Sequence, residues 1–259
     1  MRRHISTITL TACFCTLLLA MLLINFSFAQ GEAAPQEPQL GYIYEVVVKP
    51  GMSSLFENVL KSDMIPAMKK AGNMPIFSWK ADQFGIAGSY LIASPLGSLA
   101  ELDSPGSLQK ALGQAGLVAL VAKLEQLTYN PRMFMVTVRP DLGFEANQDY
   151  ELKLAIMVKN VIAAGRQADY EKNLKEMLAA LKKTNIKGFM TAQVGFGGNP
   201  NECLHFAFFD SFADIEKFRP AMQKAMAEAK LTQQTDLSTT VEMTTMSFMP
   251  ELSIMPTAQ

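Results

Sequence analysis

The second half of this chain repeats its first half at a shift of 110 residues, and a repeat of that length constrains the fold more than any single motif. The shift carries Val46-Val47-Val48-Lys49 onto Ile156-Met157-Val158-Lys159 (159 − 49 = 110). It also carries Gly85 onto Gly195, Gly88 onto Gly198, Leu127 onto Leu237, and Pro140-Asp141-Leu142 onto Pro250-Glu251-Leu252. Between these anchors the register slips by a few residues, as it does when loops drift in length while core segments keep their order. Solenoid units run roughly 20–50 residues, so a period this long marks a duplicated globular unit. Each half must bury a core of its own, and the pair is expected to build something neither half builds alone.

The N-terminus reads as a targeting segment. Arg2 and Arg3 precede an apolar run from Ile8 to Phe28, and Ser27-Phe28-Ala29 places small residues where a signal peptidase cuts. The expectation is export to the periplasm or the medium; the alternative is an uncleaved anchor, since about 20 apolar residues span a bilayer. Leu10-Thr11-Ala12-Cys13 resembles a lipoprotein box, but the apolar stretch follows Cys13 instead of preceding it. Without residues 1–29 the basic count falls from 23 to 21, and against 24 acidic residues the net charge is 21 − 24 = −3. That balance excludes an electrostatic footprint for nucleic acid. Cys203 is then the sole cysteine, so an exported chain has no internal disulfide to form.

Residues 30–39 (QGEAAPQEPQ) are polar and rich in Pro and Ala, a flexible linker. After it each half shows the same order of elements. In the first, Tyr42–Lys49 is a strand closed by Pro50-Gly51, and Ser53 or Ser54 caps a helix that Pro66 should kink and Gly72 should close. Strands at Ile76–Ala81 and Ser89–Ala93 flank a glycine-containing turn. A helical stretch from Leu96 to about Leu127, broken at Ser104-Pro105-Gly106, leads to a strand at Arg132–Val138. In the second half the pattern predicts strands over 151–161, 188–195, 203–209 and 239–248 and helices over 168–183 and 211–229. Ser211 followed by Asp214 reads as a capping box at the last helix start.

The order β-α-β-β-α-β, twice, is that of the ferredoxin-like unit. The first strands of both halves are apolar on both faces, which requires a second covering layer. The expected fold is therefore α+β: two tandem ferredoxin-like units, residues 40–145 and 148–252, packed sheet to sheet as an intrachain α/β barrel, with 253–259 as a tail.

Particular strings carry a family resemblance. Tyr44-Glu45-Val46-Val47-Val48-Lys49-Pro50-Gly51, then Phe56, Pro66, Gly72 and Trp79, resembles the NIPSNAP branch of the dimeric α/β-barrel superfamily. So does Glu202-Cys203-Leu204-His205-Phe206 running into Asp210-Ser211-Phe212-Ala213-Asp214. The resemblance implies ferredoxin-like units pairing by their sheets, and it brings no catalytic residues with it. The halves differ where function could lie: at this shift Trp79 falls opposite Phe189, and His205 has no histidine counterpart near Tyr90-Leu91-Ile92.

His205, the one histidine beyond the leader, is a weak candidate for a proton shuttle or metal ligand; without neighbouring ligand spacing it makes a poor metal site. Related barrel families hold haem through a helix histidine and the helices here have none, so no cofactor and no metal is expected. The segment Gly195-Phe196-Gly197-Gly198-Asn199 joins two strands, a hairpin instead of a phosphate loop, and no nucleophile elbow supports a hydrolase triad. Few polar residues are expected to point inward. If alternate strand residues face the interior, Trp79, Met133, Met135, His205 and Met243 enclose a small apolar ligand; a one-residue error in register would replace them by their neighbours. The function expected is non-catalytic binding of a small apolar ligand, a protein partner or a second copy. The alternative is a cofactor-independent monooxygenase or isomerase of the dimeric α/β-barrel type.

Overall fold

The computed structural model describes residues 37–72, 74–144, 151–231 and 236–256. The leader and cleavage site expected at 1–29 lie outside the described residues, as do most of the linker and the end of the tail. Among the described residues no helix is long and apolar enough to cross a membrane.

Eight antiparallel strands form one closed barrel. In chain order they are β1 (Gln39–Val48), β2 (Phe77–Ala81), β3 (Ser89–Leu96), β4 (Thr128–Val138), β5 (Leu154–Ile162), β6 (Gly188–Val194), β7 (Glu202–Phe209) and β8 (Ser238–Phe248). Around the barrel the order is β1-β3-β2-β8-β5-β7-β6-β4. The first four strands are thus arranged β4-β1-β3-β2 and the last four β8-β5-β7-β6, the same order twice. The two sets meet edge to edge, through Trp79–Ala81 against Met246–Phe248 and Val136–Val138 against Ala192–Val194. Each seam is three residue pairs long, so among the described residues the far ends of β4 and β8 have a strand partner on one side only.

Both faces of this wall are apolar, for different reasons. Inside, every strand contributes to one cluster: Ile43, Trp79, Leu91, Phe134, Met157, Ala192, Leu204 and Met246 in strand order. Eight strands enclose a space that side chains can fill. Outside, Val46, Val48, Tyr90 and Ile92 of the first half pack under Phe56, Leu60, Met64 and Leu120. These belong to helix α1 (Ser53–Val59), a π-helical turn (Leu60–Met64) and helix α3 (Ser107–Leu127); helix α2 (Ile65–Lys70) continues from the turn. The second half is covered by α4 (Gln167–Leu181) and α5 (Phe212–Glu228), which place Tyr170, Leu174, Leu178 and Phe218 on Ile162, Cys203, Ala207 and Phe209.

Local chemistry explains most of these boundaries. Pro66 stands early in α2, and the backbone accommodates it by widening the preceding turn to π geometry. Met52, and neither Ser53 nor Ser54, occupies the position before α1, with no side-chain cap. Ser211 does cap α5, its Oγ accepting from the Asp214 N–H at 3.2 Å. The break expected at 104–106 is present: a 3-10 turn spans Leu99–Asp103 before it, and α3, which follows it, breaks again at Gly113, φ +69°.

The 110-residue shift holds at Leu127 and at the Pro140 turn, and slips at the 46–49, Gly85 and Gly88 anchors. Leu127 and Leu237 are equivalent, as are the 3-10 turns at Pro140–Leu142 and Pro250–Leu252, at the expected shift of 110. However, the amides of Val48 and Ile162 bond the equivalent hairpin ends, Gly88 and Asn201, a shift of 162 − 48 = 114. Across β2 and β3 the shift is 113: Trp79 pairs with Leu91 as Ala192 pairs with Leu204. Trp79 is therefore equivalent to Ala192, not Phe189. The two 3-10 turns also cross over. Leu142 joins the second half's core, its carbonyl accepting from Thr191 at 2.7 Å, while Leu252 joins the first half's, its carbonyl accepting from Ser78 at 2.6 Å.

Candidate functional site

The five residues expected to line one cavity do not meet. Only Trp79 lies in the barrel interior, stacked at 5.9 Å on Phe208 and tilted against Phe248 at 5.0 Å. Met133 and Met243 face solvent, 61% and 63% exposed, and Met135 is half-buried on the outer side beside Gly195. In β4 it is Phe134 and Val136 that point inward, so the assumed alternation was off by one residue. His205 is buried, but on the outer face of β7 beneath α4.

His205 sits within a directed hydrogen-bond chain. Thr240 donates to the Asn160 side-chain oxygen at 2.7 Å, the Asn160 amide donates to the Tyr170 hydroxyl at 3.0 Å, and Tyr170 contacts His205 Nε2 at 2.5 Å. On the other side His205 Nδ1 lies 3.0 Å from Thr191 Oγ1, whose own proton goes to the Leu142 carbonyl. Thr191 can then only accept from the ring, which assigns the neutral Nδ1–H tautomer and makes Tyr170 the donor to Nε2. Burial pushes the His205 pKa down to about 4 and the Tyr170 pKa well above its usual value. With both nitrogens engaged, the ring is held neutral and offers no lone pair to a haem iron or a metal. Among the described residues no group of three metal-ligating side chains exists. Cys203 next to it is buried, its thiol pushed up to about 12 by desolvation.

Polar groups do converge inside the barrel, and they are residues that sequence reasoning missed. At the mouth where the 82–88 and 195–201 hairpins curl over, Glu45, Arg132, Lys159, Glu202 and Glu242 point inward from β1, β4, β5, β7 and β8. Lys159 is 8% exposed and holds Glu242 at 2.9 Å and Glu45 at 3.1 Å. Burial alone would lower its pKa, but the two carboxylates outweigh burial and hold the ammonium above its usual value. Arg132 stands 3.7 Å from Glu45 and 3.6 Å from Glu202, its guanidinium 4.6 Å over the Phe134 ring. Glu202 is 6% exposed, and its Oε1 meets no donor among the described residues. The available signal was a Glu in the middle of an otherwise apolar β1 and a Lys near the same place in β5.

A third locus lies on the surface of the first half. The π turn and α2 diverge from α3 and leave a groove of about 460 Å³, floored by Pro66, Ala67, Leu112 and Leu120, with Gly116 and Ala119 keeping it open. Pockets for small ligands occupy roughly 300–1,000 Å³. Asp63 and Lys123 bridge its rim at 2.7 Å, and that bond holds the Asp63 carboxyl below its usual range. Lys70 on the same rim has no ion-pair partner among the described residues. π turns recur at functional positions in helices, and this groove is built around one.

No protein-family model and no curated protein matches the sequence. Solved structures do match in shape. A candidate monooxygenase from Fusobacterium nucleatum subsp. nucleatum aligns over 84% of this chain and 93% of its own, with a TM-score of 0.55 and 9% identity. A chlorite dismutase variant from Candidatus Nitrospira defluvii covers 83% and 94%, TM-score 0.55, 8% identity. An anthrone oxidase-like protein covers 83% and 92%, TM-score 0.54, 10% identity. Identities this low carry the architecture and nothing of the chemistry. The closed eight-stranded wall and these likenesses together give this chain the dimeric α/β-barrel fold.

Proposed function

We propose that this is an exported, non-catalytic binding protein, a NIPSNAP-like tandem of ferredoxin-like units that takes a small, largely apolar ligand in the groove between α2 and α3. The groove is the observation that carries this reading. It has the volume of a ligand pocket, an apolar floor, and at Lys70 an ammonium with no ion-pair partner among the described residues, which suits a ligand with an anionic end. The repeated strand order supports the tandem reading, and the Ser27-Phe28-Ala29 string supports export.

The oxygenase or isomerase alternative gains from the charged barrel mouth, where acids and bases converge. Such chemistry also needs room for a substrate beside them, and the space beneath is filled by Leu91, Phe134, Met157 and Leu204. Binding is the better-supported function.

The test uses the exported protein and 1-anilinonaphthalene-8-sulfonate, which joins an apolar body to an anion. One molecule should bind per chain with a fluorescence rise. Ala119→Phe, which fills the groove, should weaken binding at least about ten-fold; Lys70→Ala should weaken it less and remove its salt dependence. Binding unchanged by Ala119→Phe would refute the groove. Intact mass of the same sample checks export: a chain beginning near Gln30 is expected, and one retaining Met1–Ala29 in membranes contradicts it.

A further inference from the structure

Strands β1 and β5 stand opposite each other in the barrel, fourth neighbours in either direction around it. Glu45 and Lys159 occupy equivalent places on them, each beside its strand's bulge, Glu45 paired with Leu91 and Arg132, Lys159 with Leu204 and Glu242. Their side chains meet across the barrel axis at 3.1 Å. Arg132 and Glu242, on the opposed strands β4 and β8, are equivalent in the same way. At both positions the two halves therefore carry opposite charge. The second cross-half pair, Arg132 with Glu202, has the reverse sense, positive on the first half and negative on the second. The apolar positions beneath are complementary as well: Trp79 is equivalent to Ala192 and Phe134 to Thr244, large on one side where the other is small.

We propose that this mouth is a recognition surface that fits one partner, the other half of the same chain, and rejects a second copy of the same half. Two first halves closed on each other would set Glu45 against Glu45 at the separation Lys159 now occupies, with two Trp79 side chains below. Two second halves would set Lys159 against Lys159. Like charges set against each other beside the largely buried Lys159 position repel, and a homodimer of identical units cannot carry opposite charges at equivalent positions. A duplicated chain can. The orphaned Glu202 oxygen fits this reading, because buried ion clusters are poor stabilisers and are best attested as devices that select one pairing.

Inverting one member of the central pair recreates the like-charge central contact of each rejected pairing in the full-length chain. Lys159→Glu presents a first-half copy to Glu45; Glu45→Lys presents a second-half copy to Lys159. Equilibrium denaturation should show each inversion lowering the folded-to-unfolded ratio at least about ten-fold more than its neutral control, Lys159→Met or Glu45→Gln. The double inversion, which restores opposite signs, should be at least about ten-fold more stable than the two single losses predict. That excess should shrink between about 0.02 and 1 M salt, which a packing role would not produce. If the single inversions do not fold and the double does, the proposal stands. A double inversion no better than additive overturns it, as does a Lys159→Glu penalty that is undiminished when Glu45→Gln removes the facing charge.

Discussion

At the residue level, the fate of His205 shows how a lone histidine can be absorbed into a scaffold. Tyr170 and Thr191 satisfy both ring nitrogens, and Phe189 stacks on the ring at 5.5 Å. Folding stability should therefore depend on pH through this one group. The unfolded chain protonates the imidazole near 6.5, the folded chain only near 4, so between these values the unfolded state holds more protons and stability rises with pH. The contribution is whole above about pH 6.5 and is lost as pH falls towards 4, by about 3 kcal/mol in all. His205→Gln cannot titrate. It should be about 1–3 kcal/mol less stable than the native protein at pH 7, from buried hydrogen bonds left imperfect. Urea titrations of both proteins from pH 7 to 4 check this: the gap should close as the pH falls, and a constant gap would mean that the ring protonates freely in the folded state.

At the level of elements, hairpin geometry decides what the barrel mouth can hold. Gly197 in the 195–201 hairpin has φ +83°, and a Cβ there would stand 2.6 Å from the Met133 carbonyl oxygen. Gly85 in the 82–88 hairpin has φ +135°, with its missing Cβ aimed at Thr244. Gly197→Ala should cost about 1–3 kcal/mol, because both the backbone angle and the close approach oppose it; thermal denaturation reads it, and a neutral result would mean that the hairpin does not lie on β4 as described.

The strands also show what the sequence could disclose. Element order, the capping box at Ser211 and the Pro140 and Pro250 turns were legible because each rests on chemistry local to a few residues. Register was not. A four-residue slip between β1 and β5 preserves the alternation of faces, so shifts of 110 and 114 match apolar strings equally well. In β4, Met133-Phe134-Met135-Val136 is apolar at both parities, so nothing local says that Phe134 faces inward and Met133 out. The charged mouth was hidden for a further reason: a strand Glu or Lys reads as solvent-facing, and the partners that neutralise Lys159 lie far away in sequence, at Glu45 and Glu242. The groove depends on a π turn and the small residues Gly116 and Ala119 of another helix coming together, which no single segment reveals.

On the scale of the whole molecule, one device recurs: each half completes the other. The Pro140 turn packs on the second half and the Pro250 turn on the first, Phe144 bridges to Phe189 as Ile254 bridges to Ile76, and the mouth pairs Glu45 with Lys159. Either sheet alone would expose the apolar face that now forms the barrel core, which explains why the repeat is carried in one chain.

The barrel closes at the two seams where the halves join, and disulfide trapping tests them most directly. Lys80 and Ser247 are paired across β2 and β8, Thr137 and Gln193 across β4 and β6, and all four point away from the barrel core. With each pair replaced by cysteines and oxidised at low protein concentration, both variants should yield cross-linked monomers that run faster on non-reducing gels. Covalent dimers, or no cross-link at either seam, would show that the chain does not close its own barrel.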